Sequence, residues 1–214
     1  MTETNRMRCG ALSPFGVVLG CRLSQQLFGR PLGVWAWVPT MLIFWGAIAL
    51  LVGSVCGPDA VARWLRRPRG STLWCALALM AGLLSLPGFI AHWRVLAPPY
   101  VLVSWLLFAL VNPFFEEGYW RGLVLDTTRG WPGAISVTYS AAWFAVSHPL
   151  IWGVHSAALR EWAVIPVLMA LGVVWAMAYR RNGSLWCSIA GHMCSNLFGL
   201  AVPIMLNLYS PMSR

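Results

Sequence analysis

The chain has 214 residues, 59% of them hydrophobic and only 10% charged, with a mean hydropathy of +0.68. A soluble domain is roughly 25% charged, so this chain has too few charges to clothe its apolar residues in water and reads as an integral membrane protein. Its net charge of +9 is assigned to basic loops beside apolar spans, the positive-inside pattern, and not to nucleic-acid binding.

Residues 1–30 are polar and basic at both ends, with an apolar piece from Ala11 to Cys21. That piece is about half of the ~20 residues a spanning helix needs. Val18-Leu19-Gly20-Cys21 faintly resembles a lipoprotein cleavage box, but Arg22 and the glutamines after it fit an interfacial helix better, and that is the expectation here. A crossing by residues 11–30 is the alternative.

Six uncharged or sparsely charged runs follow. The first is about Val34 to Val55, then an arginine-rich hinge over 59–69. The second is Gly70–Trp93, with a kink expected at Pro87-Gly88. The third runs from Tyr100 to about Asp126. The fourth opens at Trp131-Pro132, proline being favoured in a first helical turn, and closes at His148-Pro149. A loop over 151–161 leads to the fifth, Trp162–Tyr179. Ser184 is the expected N-cap of the sixth, about Leu185 to Leu206. The fold class is therefore all-α, a polytopic transmembrane bundle of about six spans, or seven or eight if 11–30 also cross. Three arginine-bearing loops (63–69, 129 and 180–181) fall on one side, which the positive-inside rule makes cytoplasmic. The six cysteines show no CxxC and no metal spacing, and are read as free.

The third run ends in Asn112-Pro113-Phe114-Phe115-Glu116-Glu117-Gly118-Tyr119-Trp120-Arg121-Gly122. Ionisable side chains at membrane depth are costly and mark function by default. Glu117 and Arg121 stand at i and i+4, the spacing of an ion pair on one helix face. Glu116 lies about 100° around the helix, on a stripe with Asn112, Tyr119 and Trp120. One carboxylate paired and one free is an arrangement suited to general-base chemistry. A helix end whose acids face water would give the same letters. Phe144 and His148 stand four apart late in the fourth run, and His192 and Asn196 four apart in the sixth. Each pair alone also suits an interhelical hydrogen bond. At 1.5 Å per residue, Glu116 lies ~15 Å and His192 ~12 Å from the same side, whereas His148 lies ~24 Å from Pro132, too deep unless its helix starts later. His92 and His155 lie near span ends on the other side and are read as solvated.

Glu-Glu-x-x-x-Arg, Phe-x-x-x-His and His-x-x-x-Asn in this order resemble the CAAX protease and bacteriocin-processing (CPBP, or Abi) family. Arg121-Gly122 and Asn182-Gly183-Ser184-Leu185-Trp186 agree with it, and residues 1–99 carry none of its motifs. The resemblance divides the chain into an N-terminal segment (1–30), two accessory helices (31–99) and a catalytic core (100–214). It implies an intramembrane endopeptidase of a multi-pass cell-membrane protein, with its site open to the cytoplasmic side and a peptide or lipidated protein as substrate. Glu116 would activate a water that His148 also holds, His192 and Asn196 would donate to the oxyanion, and Glu117, Arg121 and Phe144 would support the site. No cofactor is favoured; the alternative is zinc or another divalent metal on Glu116, His148 and His192. The rival from another class is a non-catalytic immunity or scaffold protein. Oligomeric state is not specified.

Overall fold

A computed structural model describes residues 2–206, which are helical with no strand among them; 207–214, the end of the expected core, lie outside the described residues. Helix α1 spans Glu3–Leu32, with Thr2 Oγ1 accepting from the Asn5 amide at its start. It is a single helix of ~45 Å at 1.5 Å per residue. Gly10 packs on Thr127, Ser13 Oγ lies 2.9 Å from Tyr119 Oη, and Gln25 Nε2 donates to the Ile151 carbonyl. These contacts carry α1 along the bundle's flank from one end to the other. The reason is its inside-out pattern. Leu12, Phe15, Leu19, Leu23 and Leu27 form the outward stripe, while Gly10, Ser13, Cys21, Ser24 and Gln25 face in.

A 3₁₀ turn leads to α2 (Trp37–Val55), α3 (Pro58–Trp64) and α4 (Thr72–Leu83). Helix α5 (Leu86–His92) continues α4 after a break just ahead of Pro87, where the kink is expected. Helix α6 (Pro99–Glu117) widens into a π-helical stretch, Gly118–Val124, and closes as α7 (Leu125–Thr127). Helix α8 (Gly133–Ser147) does not stop at Pro149 but runs on as a π turn to Trp152. A short α9 (Ala157–Arg160) precedes α10 (Val164–Asn182). The sixth expected span breaks in two: α11 (Trp186–Phe198) ends at Gly199, Leu200 adopts φ +52°, and α12 (Ala201–Met205) turns back over α6. Four stretches are long and apolar enough to cross a membrane: Trp37–Val55, Thr72–Leu96, Pro99–Thr127 and Val164–Asn182. Helices α8 and α11 are shorter, at 15 and 13 residues.

Helices α4 and α11 meet backbone to backbone. A Cβ on Gly191 would lie 2.2 Å from the Ala78 carbonyl oxygen, and one on Gly82 2.0 Å from that of Gly191. Small residues at such seams let membrane helices pack without side chains between them. The same closeness joins Cys75 and Cys187 in a disulfide, Cα–Cα 5.0 Å, which corrects the reading of these two cysteines as free. Cys9, Cys21, Cys56 and Cys194 carry no disulfide.

The arginines divide unevenly between the two ends. Gly70 abuts Arg181, Arg180 donates to the Gly133 carbonyl, and Glu3, Arg6, Arg63 and Arg129 line one surface depression. The N-terminus of α1 therefore shares an end with the 63–69, 129 and 180–181 loops. Arg30, Arg94 and Arg160 lie at the other.

Candidate active site

The site is built where α6 turns from α-helical to π-helical. Glu117 is fully buried, and its Oε1 accepts from Arg121 Nη1 at 3.0 Å, the pairing that i, i+4 spacing predicts. The same oxygen accepts from His192 Nδ1 at 2.8 Å, so one carboxylate joins α6, the π segment and α11. Arg121, itself fully buried, places its guanidinium 4.3 Å from the Phe144 ring centre and 5.4 Å from that of Trp175. Burying two opposite charges is tolerable only when each finds such partners.

Glu116 is 2% exposed and points the other way, with Oε1 accepting from Asn112 Nδ2 at 2.8 Å. The expected stripe ends there. Tyr119 turns to Ser13 of α1, and Trp120 packs against Phe144, because the wider π turn rotates the following side chains. The Trp120 carbonyl accepts from Ser140 Oγ of α8 at 2.6 Å. Thr128 and Ser136 hydroxyls lie 2.7 Å apart. These two contacts fix the register of α8 and remove the depth problem of His148. Ser136, not Pro132, is level with Thr128, so His148 and Glu116 each lie twelve residues up their helices from that level.

Phe144 is the partition of the site. Its ring centre lies 4.7 Å from that of His148 and 5.8 Å from those of His192 and Trp175. The Phe144 carbonyl, which can only accept, lies 2.7 Å from His148 Nδ1. Nδ1 therefore carries a hydrogen, and Nε2 of the neutral ring is left as an acceptor. Likewise the Glu117 carboxylate puts a hydrogen on Nδ1 of His192, whose Nε2–H exists only in the imidazolium form. Trp175 stacks on His192 at 4.7 Å and 14°, held by its own Nε1 donating to the Ala78 carbonyl. No motif marked Trp175; it was one tryptophan among fourteen, and only the packing of α10 on α11 singles it out.

Glu116, His148, His192 and Asn196 all line one cavity of about 150 Å³, room for several waters. Asn196 Nδ2 is buried without a hydrogen-bond partner there. A buried donor without a partner is costly unless a ligand meets it. Glu117, Trp120 and Arg121 are fully buried on the arginine-rich side. The half-buried lining residues, among them Leu159, Leu168 and Ile204, lie on the opposite side. His155, read as solvated, is instead 9% exposed, and burial holds its pKa below the usual histidine range. His92 is half-buried beside Gly199 in an apolar pocket.

Both histidines donate Nδ1–H to an oxygen, as metal-bound histidines do, but among the described residues no three His, Cys, Asp or Glu side chains converge to hold an ion. Glu116, His148 and His192 as placed do not gather as a zinc site.

Comparison with protein families matches residues 98–198 to the model described as type II CAAX prenyl endopeptidase Rce1-like. Comparison with curated proteins and with solved structures found no match.

Proposed function

Residues 98–198 are an Rce1-like domain of the CPBP family, a family of membrane endopeptidases, and from that premise we propose that this chain cleaves a peptide bond of a membrane-associated substrate with a glutamate-activated water. Such a substrate is a lipidated CAAX-type tail or a leader peptide. The free oxygen of Glu116 and Nε2 of His148 are both acceptors facing one cavity. A water giving one hydrogen to each keeps a lone pair for the carbonyl carbon. Glu116 takes the proton as the C–O bond forms, and the carbonyl π pair moves to oxygen. Asn196 Nδ2 and the Nε2–H of His192 donate to that oxyanion; Asn196 is the donor available in every protonation state. Collapse breaks the C–N bond, and Glu116 returns its proton to the leaving amine. Glu117 and Arg121 hold His192 in place, while Phe144 and Trp175 keep its ring in plane.

The observation that carries this reading is the unpartnered Asn196 amide in the same cavity as Glu116 and both histidines. With the arginine-rich end placed in the cytoplasm, the half-buried lining residues Leu159, Leu168 and Ile204 lie toward the other half of the bilayer. Purified protein with a quenched-fluorescent CAAX-type peptide supplies the test. Glu116→Ala and His192→Ala should abolish cleavage, and Asn196→Ala should lower kcat by about 10²–10³, the cost of one oxyanion donor. Cleavage by Glu116→Ala at the parental rate removes the protease reading. Loss of activity to a chelator, restored by zinc, replaces the metal-free mechanism.

A further inference from the structure

The accessory helices before residue 98 carry none of the family's motifs, yet one of their side chains reaches the reacting carboxylate through a single intermediary. Trp45 of α2 donates its indole Nε1–H to Asn112 Oδ1 at 2.9 Å, and Asn112 Nδ2 donates to Glu116 Oε1 at 2.8 Å. Asn112 and Glu116 are 1% and 2% exposed, so no bulk water competes for these groups. We infer that Trp45 and Asn112 are positioning residues that aim the Glu116 carboxylate; this rests on Glu116 being the base proposed above.

The donors and acceptors leave one arrangement. An indole nitrogen only donates, so the oxygen of the Asn112 amide faces Trp45 and its NH₂ faces Glu116. Engaging Oε1 fixes the carboxylate plane and leaves Oε2 to the water. Without Asn112 the carboxylate is free to rotate about its terminal torsion, which is soft. The tryptophan is itself held: its ring stacks on Phe115 at 5.0 Å and 6° and on Phe108 at 6.4 Å. Phe115 immediately precedes Glu116, so α2 grips the residue beside the base as well as the base's partner. Lining the cavity, Asn112 brings the aim of Glu116 under the control of a helix outside the matched domain.

The test compares Asn112→Leu, Trp45→Phe and the double variant with the parent, in peptide cleavage and thermal unfolding. Asn112→Leu should lower kcat by about 10- to 100-fold, the scale of an ångström misplacement, with KM within about twofold. Trp45→Phe keeps the ring stack and loses only the donor, so its loss in kcat should be smaller. The double variant should be no slower than Asn112→Leu, because the two residues act in series. Parental kcat in Asn112→Leu, a change in KM alone, or losses that multiply in the double variant overturn the inference; if Asn112→Leu does not fold, parental kcat in Trp45→Phe does so. An isotope-edited infrared spectrum of the Glu116 carboxylate on the same samples needs no turnover. Its band should shift in Asn112→Leu. An unmoved band in Asn112→Leu, alongside a parent that cleaves peptide, sinks this inference alone, whereas a shifted band alongside a parent that cleaves nothing sinks the protease reading and leaves the pairing in place.

Discussion

Glu117 is the residue on which the site's charges close, and its neighbours explain what replacing it would do. Its Oε1 serves Arg121 and His192 together, with all three side chains buried. Glu117→Gln leaves a buried guanidinium without its paired carboxylate, a loss of about 3–5 kcal/mol for a buried pair broken on one side. Unfolding in detergent, followed by tryptophan fluorescence, should show a clear fall in midpoint. Replacing Glu117 and Arg121 together by leucine should recover much of that stability and none of the activity. The Glu117–Arg121 pair was legible because both partners sit on one helix face. So was the nearness of Asn112 to Glu116, one turn apart. The bond from Glu117 to His192 and the one from Trp45 to Asn112 were not, since their partners are 75 and 67 residues away. Such pairings appear only when helices dock.

Among the elements, α4 and α11 show how narrow the tolerance is. Gly191→Ala would push its methyl into the Ala78 carbonyl, forcing α11, which carries His192, away from α4, to which the Cys75–Cys187 bridge ties it. Peptide cleavage should fall at least tenfold, on the scale of an ångström misplacement, with a lower unfolding midpoint. Gly118→Ala is the control: a methyl there meets nothing within 4 Å, and both measurements should stay near parental. The six apolar segments were readable from run length, and all are helical. Where they end was not. Proline at 149 does not stop α8, because a π turn accommodates it, and nothing in Gly199-Leu200 announces a left-handed residue that splits the last segment. Helix α1 escaped a search for apolar runs because its inward face is polar and its leucines point out. Averaged along the chain, such a helix reads as amphipathic and interfacial.

At the scale of the whole molecule, the course of α1 alters the topology. The N-terminus of α1 shares an end with the 63–69, 129 and 180–181 arginines, and if α1 crosses the membrane the conflict with the positive-inside rule that a six-span count creates is gone. Single cysteines placed at residues 5, 67 and 181 should therefore react with a membrane-impermeant maleimide from one side, and cysteines at 97 and 161 from the other. Labelling of residue 5 together with 97 would return α1 to the interface. The division of labour also changes. Composition pointed to a membrane protein and three motifs to a candidate site, but the motifs say nothing of residues 1–99, from which Trp45 of α2 donates to Asn112.

The bridge between Cys75 and Cys187 has a practical consequence at the bench. It lies five residues along α11 from His192, so a buffer containing dithiothreitol and one without it hold two covalently different proteins. Rates gathered under the two conditions belong to separate data sets, and a purification recipe becomes part of the definition of the protein being assayed.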